Sequence, residues 1–179
     1  MATKALPYVY DDGGRAEAGY RGAAGDCGTR AWAIALGLDY ETVRQELMEI
    51  TKAWQNTSNT KAAKRSRAKG PSVRNGTWKP VMDLMADAHG WAWKSLKTIG
   101  SSETWHLNES TADVLGTDTF VARVSRHFCA VQYGIVRDSH DPRRIVYDAI
   151  GGFDDTGTYH ETEFPLSMRM VYGVWVPLT

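Results

Sequence analysis

The spacing of apolar residues indicates a helix that begins near Cys27. After Cys27, apolar side chains recur at Ala31, Ile34 and Ala35, which is the i+4, i+7 and i+8 spacing of one helix face. Gly37 can then act as a C-cap, because glycine readily adopts the left-handed backbone that ends many helices. The pattern predicts a helix that starts in a glycine-rich loop and ends before Gly37.

Capping residues predict two further helices. Asp39 can cap the N-terminus of the second, and Lys52 lies in its last turn. The third is predicted to start at Lys79-Pro80, where proline fits the first turn, and to end at Gly90. Its apolar face is predicted to consist of Val81, Leu84, Met85 and Ala88.

Later segments alternate between apolar and polar residues, as half-buried strands do. These segments are 91–96, 119–124, 144–150 and 168–176, and a short N-terminal strand is predicted to end at Tyr10. Helices come first and strands later. This order favours an α+β fold with N-terminal helices packed on an antiparallel sheet, and we expect residues 1–179 to form a single domain.

Residues 125–141 are predicted to form a β-hairpin whose turn is Tyr133-Gly134. With that turn, the numbers of cross-strand partners sum to 267, so that residue 129 faces residue 138. Side chains alternate between the faces of a strand. His127, Asp138 and their neighbours Cys129 and His140 are therefore expected on one face, with His127 and Asp138 as diagonal neighbours.

Cys27, His127 and Asp138 together suggest covalent catalysis. The unpaired N–H groups and partial positive charge of a helix N-terminus favour a thiolate over a thiol. An imidazole that faces the thiol, held by a carboxylate, is the arrangement of nucleophile, base and orienting group used in acyl transfer. The alternative role for Cys27 is that of a small buried apolar residue. Asp141 and Asp148 are alternative candidates for the orienting carboxylate.

Several short motifs resemble those of small bacterial and phage proteins with a papain-like cysteine-peptidase fold. They are Gly25-Asp26-Cys27-x-x-Arg30-Ala31, Leu38 to Val43, Thr98-Ile99-Gly100, His106-Leu107, Arg126-His127, Val131-x-x-Gly134 and Asp138-x-x-Asp141. The resemblance covers roughly residues 20–148 and extends to Val171-Tyr172-Gly173 near the C-terminus. It implies Cys27 as nucleophile, His127 as general base and Asp138 as the residue that orients it.

The chain departs from the papain-like pattern before the cysteine. Papain-like enzymes usually place a Gln there to complete the oxyanion hole, but this chain has no Gln or Asn before Gln45. Arg21 is the nearby side chain of comparable reach. Arg21 and Asp26 are therefore the residues expected at the substrate and oxyanion side of the site.

Composition narrows the setting of the protein. The 179 residues carry no formal net charge, which gives no indication of an anionic partner. Two cysteines do not make a disulfide framework, and residues 1–7 lack the apolar run of a signal peptide. The apolar stretches are too short to span a bilayer. We expect a cytoplasmic protein without a membrane partner, located in the host cytoplasm if phage-encoded.

A basic segment lies between Glu49 and Asp83, with eight basic residues and no acidic one. Its centre, at about residues 55–76, is predicted to be a flexible loop. Lys64, Arg65 and Arg67 form a possible binding loop for an acidic surface or for phosphates. Aromatic residues occur only at its edges, which argues against a nucleic-acid partner.

The sequence predicts no metal and no cofactor. Neither cysteine belongs to a C-x-x-C pair, and Gly151-Gly152 does not have phosphate-loop spacing. We therefore expect a cysteine-dependent hydrolase of peptide, amide or isopeptide bonds that acts on a protein or peptide, acidic if the basic segment recognises it. Two alternatives remain: a transglutaminase-like or deamidase activity on the same triad, and a non-catalytic interaction protein that keeps the fold.

Overall fold

The computed structural model describes residues 4–97, 104–153, 156 and 158–178. The Thr98-Ile99-Gly100 motif and the first three residues of the predicted N-terminal strand lie outside the described residues. The helices are α1 (Cys27–Leu36), α2 (Tyr40–Thr57), α3 (Lys61–Arg67), α4 (Lys79–Ala88) and α5 (Glu109–Leu115). The strands are β1 (Tyr8–Tyr10), β2 (Trp91–Ser95), β3 (Thr119–Val124), β4 (His127–Gln132), β5 (Ile135–Asp138), β6 (Val146–Phe153), β7 (Tyr159–Ser167) and β8 (Val171–Pro177).

The fold mixes helices and strands, as the order of the sequence patterns predicts. Its main sheet has six strands in the order β1-β5-β4-β3-β8-β2, and β6 pairs with β7 in a separate two-stranded sheet. The expected antiparallel sheet is wrong at one edge, where β1 pairs with β5 in parallel. A parallel pair joins segments far apart in sequence, so no hairpin turn signals it.

The β4–β5 hairpin has the predicted register. Ala130 faces Arg137 and Gln132 faces Ile135, so each pair sums to 267. Tyr133 and Gly134 both have positive φ, at 51° and 71°. Two consecutive left-handed residues give the tight turn whose twist matches that of the strands. Local turn chemistry therefore fixes which hairpin residues share a face.

The predicted caps of the first two helices are confirmed. Gly37 ends α1 in the left-handed conformation, and the Asp39 side chain accepts a hydrogen bond from the Thr42 N–H at the start of α2. In α4 the bounds are close to those predicted, but the buried face is wrong in part. Leu84 and Ala88 are exposed, and Met82 and Ala86 are buried against the core instead.

The central part of the basic segment is folded, so the predicted flexible loop is wrong there. Residues up to Thr57 continue α2, and Lys61–Arg67 form α3. The buried Gln55 side chain donates hydrogen bonds to Ser66 Oγ at 2.8 Å and to the Gly70 carbonyl at 3.0 Å. These bonds attach α3 to α2 in a way that the polar composition does not reveal.

Tryptophans form the centre of the core between α1 and the sheet. Trp32 of α1 and Trp175 of β8 are fully buried, with ring centroids 6.2 Å apart. This packing places the N-terminus of α1 against the β4–β5 hairpin. Among the residues that the structure describes, no helix has the length and apolar character needed to cross a membrane.

Candidate active site

Cys27 is the first residue of α1, as the sequence predicts, and only 9% of it is exposed. The first N–H groups of a helix have no acceptor within the helix, so they point out of its N-terminus beside Cys27. Together with the helix dipole they favour negative charge on a nearby group. The thiol thus occupies a mostly buried position that suits a thiolate.

Asp26, the residue before Cys27, does not take the substrate-side role predicted for it. It is 1% exposed, and its carboxylate lies 2.7 Å from Arg15 Nε and 3.1 Å from Arg30 Nη1. Tyr40 also donates a hydrogen bond to it at 2.6 Å, and burial together with this bond raises the pKa of Tyr40. Asp26 is therefore a buried structural centre that fixes the loop before the cysteine.

Arg21 also lies away from the substrate and oxyanion side of the site, where the sequence analysis expected it. Its side chain is exposed, and it lines a separate cavity with Arg15, Asp26 and Arg44 rather than the one at Cys27. Arg15, which is bound to Asp26, also donates a hydrogen bond to the Arg21 carbonyl at 3.3 Å and so fixes the backbone there. Although Arg21 is only six residues before Cys27 in the sequence, its side chain does not line the cavity at the thiol.

His127 and Asp138 meet across the hairpin as predicted. His127 is 9% exposed and Asp138 is 2% exposed, and His127 Nε2 hydrogen-bonds to Asp138 Oδ2. The other carboxylate oxygen accepts the Ser139 N–H at 2.7 Å. The carboxylate is thus fixed at both oxygens and orients the imidazole.

Cys27 and His127 line the same cavity, and the thiol lies close enough to the imidazole to raise the pKa of His127. Because Nε2 of His127 faces Asp138, Nδ1 is the ring nitrogen left for the thiol. Burial lowers the pKa of His127, but the interactions of the imidazole with Asp138 and Cys27 outweigh it and raise the pKa from 6.5 to about 9. Near neutral pH the imidazole is therefore protonated and can form an ion pair with a thiolate.

Cys27 and His127 line a cavity of about 860 Å³, and Asp138 is buried outside its wall. Its charged lining residues are all basic: Arg30, Lys69, Lys79, Arg123 and Arg126. Arg30 pairs with Asp26 and Lys79 with Asp83, while the other three have no carboxylate partner among the described side chains. The cavity therefore has room and positive potential for an anionic or polar substrate.

The possible binding loop is not part of this cavity wall. Lys64 and Arg65 are exposed on α3 and lie outside the lining of the cavity. Arg67 donates to the carbonyls of Gln55 and Ser58, so it caps the C-terminal end of α2. From the centre of the basic segment, Lys69 does reach the cavity.

Thr77 is a site residue that the sequence does not reveal. Thr77 lines the cavity, and its hydroxyl oxygen is buried and has no hydrogen-bond partner among the described atoms. A Cβ at Gly28, the residue after Cys27, would lie 2.9 Å from that oxygen. Gly28 therefore allows the Thr77 hydroxyl to approach the start of α1. The only signal for this contact in the sequence is Gly28, because the first turn of a helix does not by itself require a glycine.

Cys129 and His140 share the face of His127, as predicted from the register. Cys129 is 1% exposed, and burial raises its pKa well above the ordinary value, which fits its expected role as a core residue. The His140 ring centroid lies 4.6 Å from that of His127. Potential ligand atoms of His127, Asp138 and His140 lie within 4.8 Å of one another, and the His127–Asp138 hydrogen bond accounts for much of that closeness.

Of the two alternative carboxylates, Asp141 has another partner. Asp141 is paired with Arg143, with Nη2 and Oδ2 2.7 Å apart, in the turn after β5. Asp148 is in β6, which belongs to the second sheet.

The comparisons with known proteins add no further identification. No family model, curated protein or solved structure matches this chain.

Proposed function

We propose that the protein is a cysteine-dependent hydrolase of peptide, amide or isopeptide bonds with a papain-like arrangement. The observation that supports this proposal best is that Cys27 and His127 share the wall of one cavity while Asp138 holds the His127 imidazole through a hydrogen bond. Each of the three residues has the environment that its role requires: a helix N-terminus for the nucleophile, a protonated imidazole for the acid, and a fixed carboxylate for the orienting group.

In the first half of the reaction, the Cys27 thiolate attacks the carbonyl carbon of the substrate and forms a tetrahedral intermediate. The intermediate collapses when the carbon–nitrogen bond breaks, and His127 donates its Nδ1 proton to the departing amine. The product bound to Cys27 is a thioester. In the second half, neutral His127 takes a proton from water, hydroxide attacks the thioester, and the acid and thiolate are released.

The negative oxygen of the intermediate needs hydrogen-bond donors that are already in position. We assign one donor to the Cys27 N–H at the start of α1 and the second to the unpartnered Thr77 hydroxyl. Thr77 would then fill the place for which the sequence offered only Arg21. Thr77→Val should lower kcat by about a hundredfold while Thr77→Ser retains most activity.

The first test is labelling with a peptidyl vinyl sulfone, an electrophile that reacts with activated thiols. Wild-type protein should gain one probe mass at Cys27, read by intact mass and peptide mapping. Cys27→Ala should gain none, whereas the matched variant Cys129→Ala should be labelled at the wild-type rate. Labelling that persists in Cys27→Ala, or no labelling of folded wild-type protein, would refute the proposal and favour the non-catalytic alternative.

Turnover separates hydrolysis from the related transfer reactions. A pool of peptides is incubated with the protein, with and without a primary amine, and the products are identified by mass spectrometry. Cleaved peptides support hydrolysis. Amine-modified glutamines would identify transglutaminase-like transfer, and glutamines converted to glutamates without cleavage would identify a deamidase.

A further inference from the structure

A second cavity, of about 410 Å³, adjoins the site at His127. It shares Arg126, His127 and His140 with the larger cavity but does not include Cys27. The rest of its wall is Ser125, Arg144 and Arg169. We call it the arginine cavity, because all of its lining residues are polar and three of them are arginines.

The three arginines are not neutralised by ion pairs within the described part of the chain. None of them forms an ion pair with a carboxylate among the described side chains, although nearby Arg143 does so with Asp141. Burial and the neighbouring Arg144 lower the pKa of Arg169. Burial also lowers the pKa of His140; Asp138 opposes this shift, but His127 and Arg169 add to it. Positive groups therefore repel one another around a space that an anion would neutralise.

Two of these arginines have an unfavourable backbone. Arg126 and Arg144 have φ of 57° and 47°, and only one other non-glycine residue in the described part of the chain, Tyr133, has positive φ. A left-handed conformation is strained for an ordinary residue, whereas glycine adopts it freely. Residues under such strain concentrate at functional sites. Glycine would fit the backbone at both positions with less strain, but it would not supply a guanidinium group.

We propose that the arginine cavity binds an anionic oxygen group of the substrate, a carboxylate or a phosphate, beside the amide that Cys27 attacks. Guanidinium groups suit both, because their planar N–H donors match the oxygens in pairs. The position next to the amide rests on the proposed function, whereas anion binding by the cavity does not. An acidic substrate would then be recognised by Arg126, Arg144 and Arg169 rather than by the possible binding loop.

The binding test is an NMR titration of the full chain at constant pH, which follows the ring C–H signals of His127 and His140. Three probes are used: inorganic phosphate, N-acetylglutamate α-amide and its uncharged match, N-acetylglutamine α-amide. We expect saturable shifts with at least one anion and none with the glutamine compound. The anion that binds more tightly identifies the source of the charge. Equal shifts with the glutamate and glutamine compounds, or no saturation with either anion, would overturn the proposal.

Glycine substitutions separate binding from folding. Arg126→Gly and Arg144→Gly keep the left-handed backbone, so neither should lower the melting temperature, but each should weaken anion binding about tenfold through loss of a charged hydrogen bond. Arg169→Lys should retain part of the affinity that Arg169→Gln loses. The control Lys52→Gln removes one exposed charge on α2 and should change nothing. Unchanged affinity in all the arginine variants would contradict the proposal.

Iodoacetamide alkylation of Cys27 in the same samples distinguishes the two proposals. Cys27 that alkylates no faster than a free thiol, together with intact anion binding, would contradict the proposed hydrolase and support the arginine cavity. Rapid alkylation without anion binding would do the reverse.

Discussion

Replacing Asp138 with Asn removes the charge that keeps the buried His127 imidazole protonated. The pKa of His127 lies at about 9 in the folded protein, above its ordinary value of 6.5, which it regains on unfolding. Protonated His127 therefore stabilises the native state. This contribution is fully present below about pH 6.5 and is lost as the pH rises through about 9.

The shift from 6.5 to about 9 corresponds to roughly 3 kcal/mol of folding free energy. Cys27 contributes part of it, so Asp138→Asn should remove about half or more. Urea unfolding at a series of pH values from about 6 to 10 measures the effect. The wild-type protein should exceed Asp138→Asn in stability most at the acidic end, and the difference should shrink by roughly 2 kcal/mol towards the alkaline end.

Tyrosines and lysines also titrate in this pH range, but their contributions to the unfolding free energy are the same in both proteins and cancel in the difference. Asp87→Asn is the matched control, because Asp87 is exposed on α4 and its loss should give a pH-independent difference. A wild-type minus Asp138→Asn difference that stays constant across the whole range would refute the view that Asp138 holds a protonated His127.

Three further predictions concern reactivity and packing. Limiting iodoacetamide near neutral pH should alkylate Cys27 well before Cys129, because the Cys129 thiol is more deeply buried and has a raised pKa. Peptide mapping measures the order of labelling, and the opposite order would contradict the assignment of the nucleophile. Gly173→Ala should lower the free energy of unfolding by about 1–3 kcal/mol, because the added Cβ would overlap the Trp93 ring and lie 2.7 Å from the Lys94 carbonyl oxygen. If the variant melts at the same temperature as the wild-type protein, the strand adjusts to the extra methyl group at little cost. Gln55→Ala should cost about 1–3 kcal/mol and speed hydrogen exchange across α3, and unchanged exchange there would show that α3 does not depend on this side chain.

The parts of the site that the sequence predicts are those set by near neighbours in the chain. Gly37 and Asp39 act as caps because a cap needs only the few residues beside it. The turn at Tyr133-Gly134 sets the hairpin register, and that register alone brings His127 and Asp138 to one face. The wrong face of α4 shows the limit, because the 3.6-residue period allows neighbouring stripes and only the facing core selects between them.

What only the tertiary structure decided depends on groups that are distant in sequence. Thr77 and Gly28 approach each other only after α1 and α4 have packed. Asp26 is buried by Arg15 and Tyr40, so its carboxylate, which the sequence places beside the nucleophile, has no part in the cavity. Arg126, Arg144 and Arg169 come from three separate connections and surround one space. Caps, turns and periods act through the free energy of a few consecutive residues, whereas these contacts form only once the whole core has folded around Trp32 and Trp175.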